Sequence, residues 1–318
     1  MITYDSVTTT STGSFLVSEL ERLDQTLNMP LSAVTWSRDI QLRTDVTMGD
    51  EFSSYTNSNF ASQGGLSATG KSWIGKNSNA VSGIDLDIAK TTSPLRTWGQ
   101  VVGYSIIELE QAMRLGRPID TQKIEGLNLK FQMDVDEQVY LGDTDLGLTG
   151  LFNNTGVTPA NVAAGGGGVT WALKTPLEIL KDVQEIERAA WAASGYAVAP
   201  TELRVAPAQM VQLLQPLTIG GTSFNSIAQY IALNSLCMQQ NGKPLNIQSV
   251  KWLTTAGAGS TARMVAYTNE YKYARFPMVG LQRTPLSSIG LIQSVTYFSK
   301  LGQVELPYSE TLAYRDGM

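Results

Sequence analysis

The sequence predicts an α+β protein. Two segments alternate apolar and polar residues with strand periodicity, and a later segment carries a helical stripe about six turns long. No regular strand–helix–strand alternation and no internal repeat runs through the 318 residues. The first strand signal sets Ile40, Leu42, Thr44, Val46 and Met48 against Asp39, Gln41, Arg43 and Asp45. The second sets Ile84, Leu86 and Ile88 against Asp85 and Asp87. Between them, Gly49 to Ser82 is rich in Gly, Ser and Asn. An insertion of that length is uncommon inside a compact domain, so the pair reads as an extended hairpin or arm protruding from the body.

The remaining elements follow in order. Met1 to Gly13 reads as a flexible Ser/Thr-rich arm. Leu16, Leu20, Leu23 and Leu27 recur at helical spacing, with Pro30 beyond them. Ser105-Ile106-Ile107-Glu108 is a capping box that opens a short helix ending near Gly116, before Pro118. A long helix is expected from about Asp120, with Ile124, Leu127, Phe131, Val135 and Val139 as its apolar face and Gly142 closing it. Thr175-Pro176-Leu177-Glu178 opens another helix, lined by Leu180, Val183, Ile186, Ala190 and Trp191 and ended by Gly195. Short elements follow: a strand at Val205, helices over Pro207–Leu214 and Phe224–Leu236, and strands over Leu245–Leu253, Arg263–Thr268 and Tyr271–Phe276. A closing hairpin is expected from Leu291–Phe298, a turn near Gly302, and Gln303–Tyr308.

Composition excludes whole classes of function. The chain has no histidine and a single cysteine, Cys237. Ser-His-Asp and Cys-His catalysis, histidine-containing zinc sites, thiolate metal sites and intrachain disulfides are therefore all impossible. The net charge of −5 comes without any Lys/Arg run, which argues against a dedicated nucleic-acid or membrane-surface module. No apolar run approaches the roughly 18 residues of a membrane span, and the N-terminus lacks the layout of a signal peptide. Charged residues make up 16%, below the usual ~25%, which suggests that much of the surface is buried against other subunits.

One motif points elsewhere. Gly65-Leu66-Ser67-Ala68-Thr69-Gly70-Lys71-Ser72 fits the phosphate-loop pattern G-x-x-x-x-G-K-[ST]. In a nucleotide-binding protein Lys71 would reach the β/γ oxygens and Ser72 would ligate magnesium. Such a loop follows a buried apolar strand and opens a helix, whereas here Ser58 to Gln63 is mostly polar and Gly75 to Gly83 is a poor helix. A Gly/Ser-rich arm is the simpler reading. Glu108 and Glu110, and Asp134, Asp136 and Glu137, read as the solvated faces of their helices, and Cys237 as a small buried residue on a helix. No catalytic, cofactor-binding or metal-binding residue is assigned.

The order of these pieces resembles the major capsid proteins of tailed bacteriophages with the Hong Kong 97-like fold. The resemblance rests mainly on Trp98 to Asn154. There Tyr104-Ser105-Ile106-Ile107-Glu108-Leu109 leads a short helix, a long spine-like helix ends at Tyr140-Leu141-Gly142-Asp143, and Gly147-Leu148-Thr149-Gly150-Leu151-Phe152-Asn153 is similar to a Gly-Leu-x-Gly-Leu-x-Asn turn. The end, Leu306-Pro307-Tyr308 through Asp316-Gly317, resembles the returning strand and tail of that fold.

The resemblance implies five regions: an N-terminal arm and short helix over 1–35, an extended loop over 36–92, a first part of a peripheral domain over 93–199, an axial domain over 200–277, and peripheral return strands with a tail over 278–318. It implies a structural, non-enzymatic protein without cofactor that self-assembles as hexamers and pentamers into an icosahedral shell. The shell would form in the host cytoplasm, away from membranes, and enclose double-stranded DNA without sequence-specific binding. Scaffolding, portal and decoration proteins are the implied partners. No long N-terminal scaffolding segment is evident, so a separate scaffold or an already mature chain is expected. Some relatives crosslink subunits through a lysine of the extended loop. Lys71 and Lys76 lie in the matching loop, but the partner residue is not matched and that activity is not carried over. The same fold occurs in encapsulin compartments, which enclose cargo enzymes, so an encapsulin shell is the nearer alternative. A nucleotide-binding protein using Gly65 to Ser72 is the more distant one.

Overall fold

The computed structural model describes residues 32–62, 72, 76, 83–115, 119–219, 222–224 and 226–318. The helix expected over Leu16–Leu27 and most of the phosphate-loop motif lie outside them. In chain order the elements are α1 (Trp36–Asp39), β1 (Gln41–Arg43), β2 (Phe52–Ser62), β3 (Ile84–Pro94), β4 (Arg96–Ser105), α2 (Ile106–Leu115), α3 (Ile119–Tyr140), β5 (Gly142–Asp143), β6 (Leu148–Thr149), β7 (Ala160–Asn161), α4 (Pro176–Ala193), β8 (Glu202–Val205), α5 (Pro207–Leu213), β9 (Leu217–Ile219) and β10 (Thr222–Phe224). There follow α6 (Ile227–Asn234), α7 (Leu236–Asn241), β11 (Asn246–Ser249), β12 (Arg263–Tyr267), β13 (Arg275–Arg283), β14 (Ser287–Ile289), β15 (Ile292–Leu301) and β16 (Ala313–Asp316).

Two five-stranded sheets organise the body. In one, β15 is central: β4 pairs along its whole length from Arg96↔Leu301 to Ser105↔Ile292, and β13 and β14 take its other edge. A bulge between Val279 and Gln282 shifts the β13 register. The other sheet has the order β11-β8-β12-β16-β7, so the C-terminal strand and residues 160–161 join strands drawn from 202 to 267. Every residue of β12 is buried, which is why it shows a continuous apolar run rather than alternation.

Most of the expected stripe of α3 is inside: Phe131, Val135 and Val139 are buried together with Ile179, Val183, Ile186 and Ala190 of α4 in one continuous core, Leu127 is buried apart from it, and Ile124 is half-buried. Each such side chain contributes about 1.5–3 kcal/mol. α4 begins as its sequence predicts, with a capping box between Thr175 and Glu178 and Pro176 in the first turn. The Gly166 N–H and the Thr175 N–H and hydroxyl all donate to Glu178, and these donors bring its carboxyl down to about 2. The four-glycine loop thereby folds onto the start of α4.

The Gly-Leu-x-Gly-Leu-x-Asn turn closes the end of α3. Leu151 N–H and Phe152 N–H donate to the Val139 and Tyr140 carbonyls at 2.8 and 2.9 Å. Asn153 Nδ2 donates to the Leu141 carbonyl at 2.5 Å while its Oδ1 accepts from Gly150 N–H at 2.7 Å. The carbonyls left free at a helix end are thus satisfied. Both glycines are dictated by this geometry: Gly142 has φ +69°, and a Cβ on Gly150 would stand 2.4 Å from the Tyr140 carbonyl. The Tyr140 and Phe152 rings stack above it, 4.7 Å apart.

Several expectations are corrected. The strand expected over Ile40–Met48 is reduced to β1, because Thr35 N–H and Trp36 N–H donate to Asp136 on α3 at 2.8 and 3.0 Å and wind the preceding residues into α1. Asp136 is fully buried and also accepts from Trp252 Nε1 at 2.7 Å, so it is a docking group rather than part of a solvated face. The strand over Leu245–Leu253 ends at Ser249 and passes into a 3-10 turn, Lys251–Thr254. The strand expected over Tyr271–Phe276 starts only at Arg275. Gln303–Tyr308 contributes a single bridge, Arg275↔Glu305, and β16 takes the place of a closing strand. The helix expected over Phe224–Leu236 divides at Ser235, whose hydroxyl accepts from Met238 N–H at 3.3 Å and caps α7.

Candidate assembly surfaces

The hairpin expected around the Gly/Ser-rich insertion is built from β2 and β3, paired antiparallel from Phe52↔Pro94 to Ser62↔Ile84. Its first strand is Phe52–Ser62 rather than Ile40–Met48. Because side chains alternate across a strand, Ile84, Leu86 and Ile88 share one face with Phe60, which lies directly opposite Leu86. All four are exposed, Phe60 by 77% and Ile84 by 74%. A two-stranded ribbon with an uncovered apolar face is marginal by itself in water.

The root of this arm is held firmly. Glu305, 1% exposed, accepts from Arg43 Nη1 at 2.9 and 3.1 Å, from Arg275 Nε at 2.7 Å, and from the Ser53 hydroxyl of β2. Hydrogen bonds donated to Asp45 and the charge of Glu305 raise the Arg43 guanidinium above its ordinary range. Asn57 Nδ2 donates to the Pro307 carbonyl at 2.8 Å, and Leu95 N–H to the Glu51 carbonyl at 2.9 Å. Gly302 fits beneath the root, where a Cβ would meet Pro277 Cγ at 2.6 Å. This ion-pair centre leaves almost no trace in the sequence. Its one signal was a lone charge, Glu305, between the apolar Val304 and Leu306.

A second apolar patch sits where β14 turns into β15. Ile289 is 77% exposed, and Leu286, Leu291 and Ile292 are exposed around Gly290, which turns the chain with φ +62°. The register Ser105↔Ile292 and the bond from Ile106 N–H to the Leu291 carbonyl, 3.0 Å, bring exposed Ile106 and Ile107 beside them. Val211 and Leu214 at the end of α5 are also exposed, as is Leu233 on α6. Clustered exposed apolar residues of this kind mark interaction sites.

Among the described residues, the groups that could carry chemistry are engaged in local contacts. The motif Gly65–Ser72 follows an exposed ribbon strand instead of a buried one, and Ser72, its described member, is exposed. Glu108 binds Lys123 at 2.8 Å, and Asp134 takes Trp98 Nε1 at 2.9 Å and Lys130. A groove of about 610 Å³ between β7 and α4 holds Lys181, Glu185, Arg188 and Arg315. Both of its arginines bind Glu185, at 2.6 and 3.5 Å, and Arg188 draws the Glu185 carboxyl below its ordinary value. Among the described residues no group of three or more Cys, Asp and Glu is placed to hold a metal ion. Cys237 is buried on α7.

Comparison with known proteins gives a consistent picture. The profile of one family, described as Major capsid protein, matches residues 70–318. No curated protein matches the sequence. Among solved structures, the capsid of Myoviridae phage XM1 is similar with a TM-score of 0.75 and 15% identity, covering 95% of this chain and 98% of that one. A chain of Mycobacterium phage Adephagia is similar with a TM-score of 0.59 and 11% identity over 96% and 98%. The SrpI encapsulin of Synechococcus elongatus PCC 7942 is similar with a TM-score of 0.52 and 12% identity over 99% and 96%. The fold is the Hong Kong 97-like capsid fold.

Proposed function

The chain belongs to the family of major capsid proteins, and on that premise we propose that it assembles as hexamers and pentamers into an icosahedral shell enclosing double-stranded DNA. It is a structural shell protein and a component of the virion. The observation that carries the finer reading is the β2–β3 arm, whose apolar face of Phe60, Ile84, Leu86 and Ile88 has no cover among the described residues of the subunit. In the assembled shell this face lies on a neighbouring subunit, and the contact joins different patches on the two partners, which closes into rings. The peripheral domain comprises 93–199 and 278–318, and the axial domain 200–277, with 36–92 as the extended loop and 1–35 as the N-terminal arm. Val211, Leu214 and Leu233 then lie toward the ring axis.

No reaction is catalysed in this reading, and no cofactor is used. Scaffolding, portal and decoration proteins are the expected partners, and assembly takes place in the host cytoplasm. Among the described residues no helix is long and apolar enough to cross a membrane. The encapsulin reading differs only in content, protein cargo instead of DNA.

Negative-stain electron microscopy with sedimentation of the purified protein, with and without co-expressed scaffold, tests assembly. Rings or closed shells are expected. A persistent monomer at high concentration, even with scaffold, would contradict the proposal. Nucleic acid extracted from shells made during infection identifies the content, and nuclease-resistant DNA is the expected result.

A further inference from the structure

A single buried carboxylate ties α4 to the corner between α6 and α7. Glu187 on α4 is 3% exposed. One of its oxygens, Oε2, accepts from Leu236 N–H at 3.0 Å in the first turn of α7. The other, Oε1, is buried without a hydrogen-bond partner. A carboxylate offers about four acceptor positions, and burying the charged form with so few of them filled is costly. The corner itself is slight: two short helices joined through Ser235 in an extended conformation, ψ 161°.

Among the described residues no cation relieves the charge. The elements packed on α4 are α6, α7, β9, β12, β16 and the 3-10 turn Ser309–Thr311. Their cations are committed elsewhere: Arg263 holds Asp316 at 2.6 Å and Arg315 reaches Glu185 at 3.5 Å. Of their hydroxyls, Tyr267 donates to the Asp39 carbonyl and Tyr314 to the Leu151 carbonyl. Tyr230 and Glu310 complete the set with Cys237, whose thiol is pushed up by burial and by the neighbouring negative charges of Glu187 and Glu202, with Lys243 opposing. On α4 itself, Asp182 binds Lys174, Arg188 binds Glu185, and Lys181 lines the groove with Arg315. Burial pushes the Glu187 carboxyl up to about 7, and the Leu236 N–H opposes this only in part.

We propose that Glu187 makes the α6–α7 corner a pH-sensitive hinge: the protonated acid holds the corner on α4, and the carboxylate, with one oxygen unsatisfied, lets it open. The sign follows from linkage. A carboxyl raised in the folded state adds stability that is complete below its unfolded value of 4.5 and is lost as pH rises through about 7. Opening exposes the buried end of α7 beside Leu233, which is already at the surface.

The test compares wild type with Glu187→Gln, in the same assembly state, at about pH 5 and about pH 8. The readouts are thermal unfolding and amide hydrogen exchange over residues 234–242, corrected for intrinsic rates. Equal melting temperatures are expected at the lower pH. At the higher pH the wild type should melt several degrees lower and exchange in this segment on the order of 100-fold faster. A gap between the two proteins that does not change with pH would overturn the proposal. Should the variant fail to fold, wild-type exchange decides alone: a stepwise rise near neutral pH confined to 234–242 supports the hinge, and corrected exchange independent of pH refutes it.

Discussion

The long helix α3 and the β2–β3 arm both show clean periodicity, and they use it in opposite ways. On α3 the apolar stripe from Leu127 to Val139 is buried, and two of the carboxylates have partners: Asp136 holds Thr35, Trp36 and Trp252, and Asp134 holds Trp98. On the arm the alternation of Ile84, Leu86 and Ile88 is just as regular, yet the face they form is left uncovered. An amphipathic pattern states that a face will be covered; it does not state by which molecule. Among the described residues nothing covers this face, and in the proposed shell a second copy of the chain does so.

The contrast can be broken from the core side first. Asp39, fully buried, binds Arg204 at 2.9 Å and Arg38 at 2.6 Å and accepts from the Tyr140 hydroxyl at 2.5 Å. Burial pushes its carboxyl up, but Arg38, Arg204 and Tyr140 together hold it below the ordinary value. Asp39→Ala leaves Arg204 buried with Glu202 as its remaining carboxylate, and should cost about 3–5 kcal/mol in denaturant unfolding. Gly150→Ala drives a Cβ into the Tyr140 carbonyl and should cost about 1–3 kcal/mol in the same assay.

The arm root should behave as an intermediate case. Glu305→Gln keeps the shape of the side chain but removes the charge shared by Arg43 and Arg275 and replaces one accepting oxygen with an amide NH2 donor that faces their own donors. A loss of about 1–3 kcal/mol is expected, with protease susceptibility rising at residues 44–60 before the rest of the chain. The arm face should sit at the far end of the scale. Phe60→Ser with Leu86→Ser should change the stability of dissociated subunits by no more than about 0.5 kcal/mol, yet abolish rings and shells in electron micrographs. An equal loss of subunit stability would mean that the arm folds onto its own body.

How far each region was legible follows from where its determinants lie. The helices α3 and α4 were readable because stripe, cap and stop are local: Phe131, Val135 and Val139 in one case, Thr175, Pro176 and Glu178 in the other. β3 was readable from Ile84, Leu86 and Ile88. β2 was not, because Ser53 to Asn59 has no apolar alternation and becomes a strand through its pairing with β3. The burial of Asp136 depends on Thr35 and Trp252, about 100 residues away in each direction along the chain, so no local window contains it. β16 falls within the returning strand and tail that the resemblance implied for Leu306 to Gly317, but no local pattern marks it: Ala313-Tyr314-Arg315-Asp316 shows no apolar alternation, and the strand is fixed where Asp316 meets Arg263 and Tyr314 lies beneath the same guanidinium, 4.6 Å from its ring centre. The Glu305 centre joins residues 43, 53, 275 and 305, and only the folded chain brings them together.

The claim that the arm is finished by a neighbour is tested most directly by hydrogen exchange over residues 84–90, comparing assembled shells with dissociated subunits. Strong protection in shells and near-complete exchange in free subunits is the predicted result. Equal protection in the two states would contradict the account, since the apolar face of the arm would then be covered without a second copy.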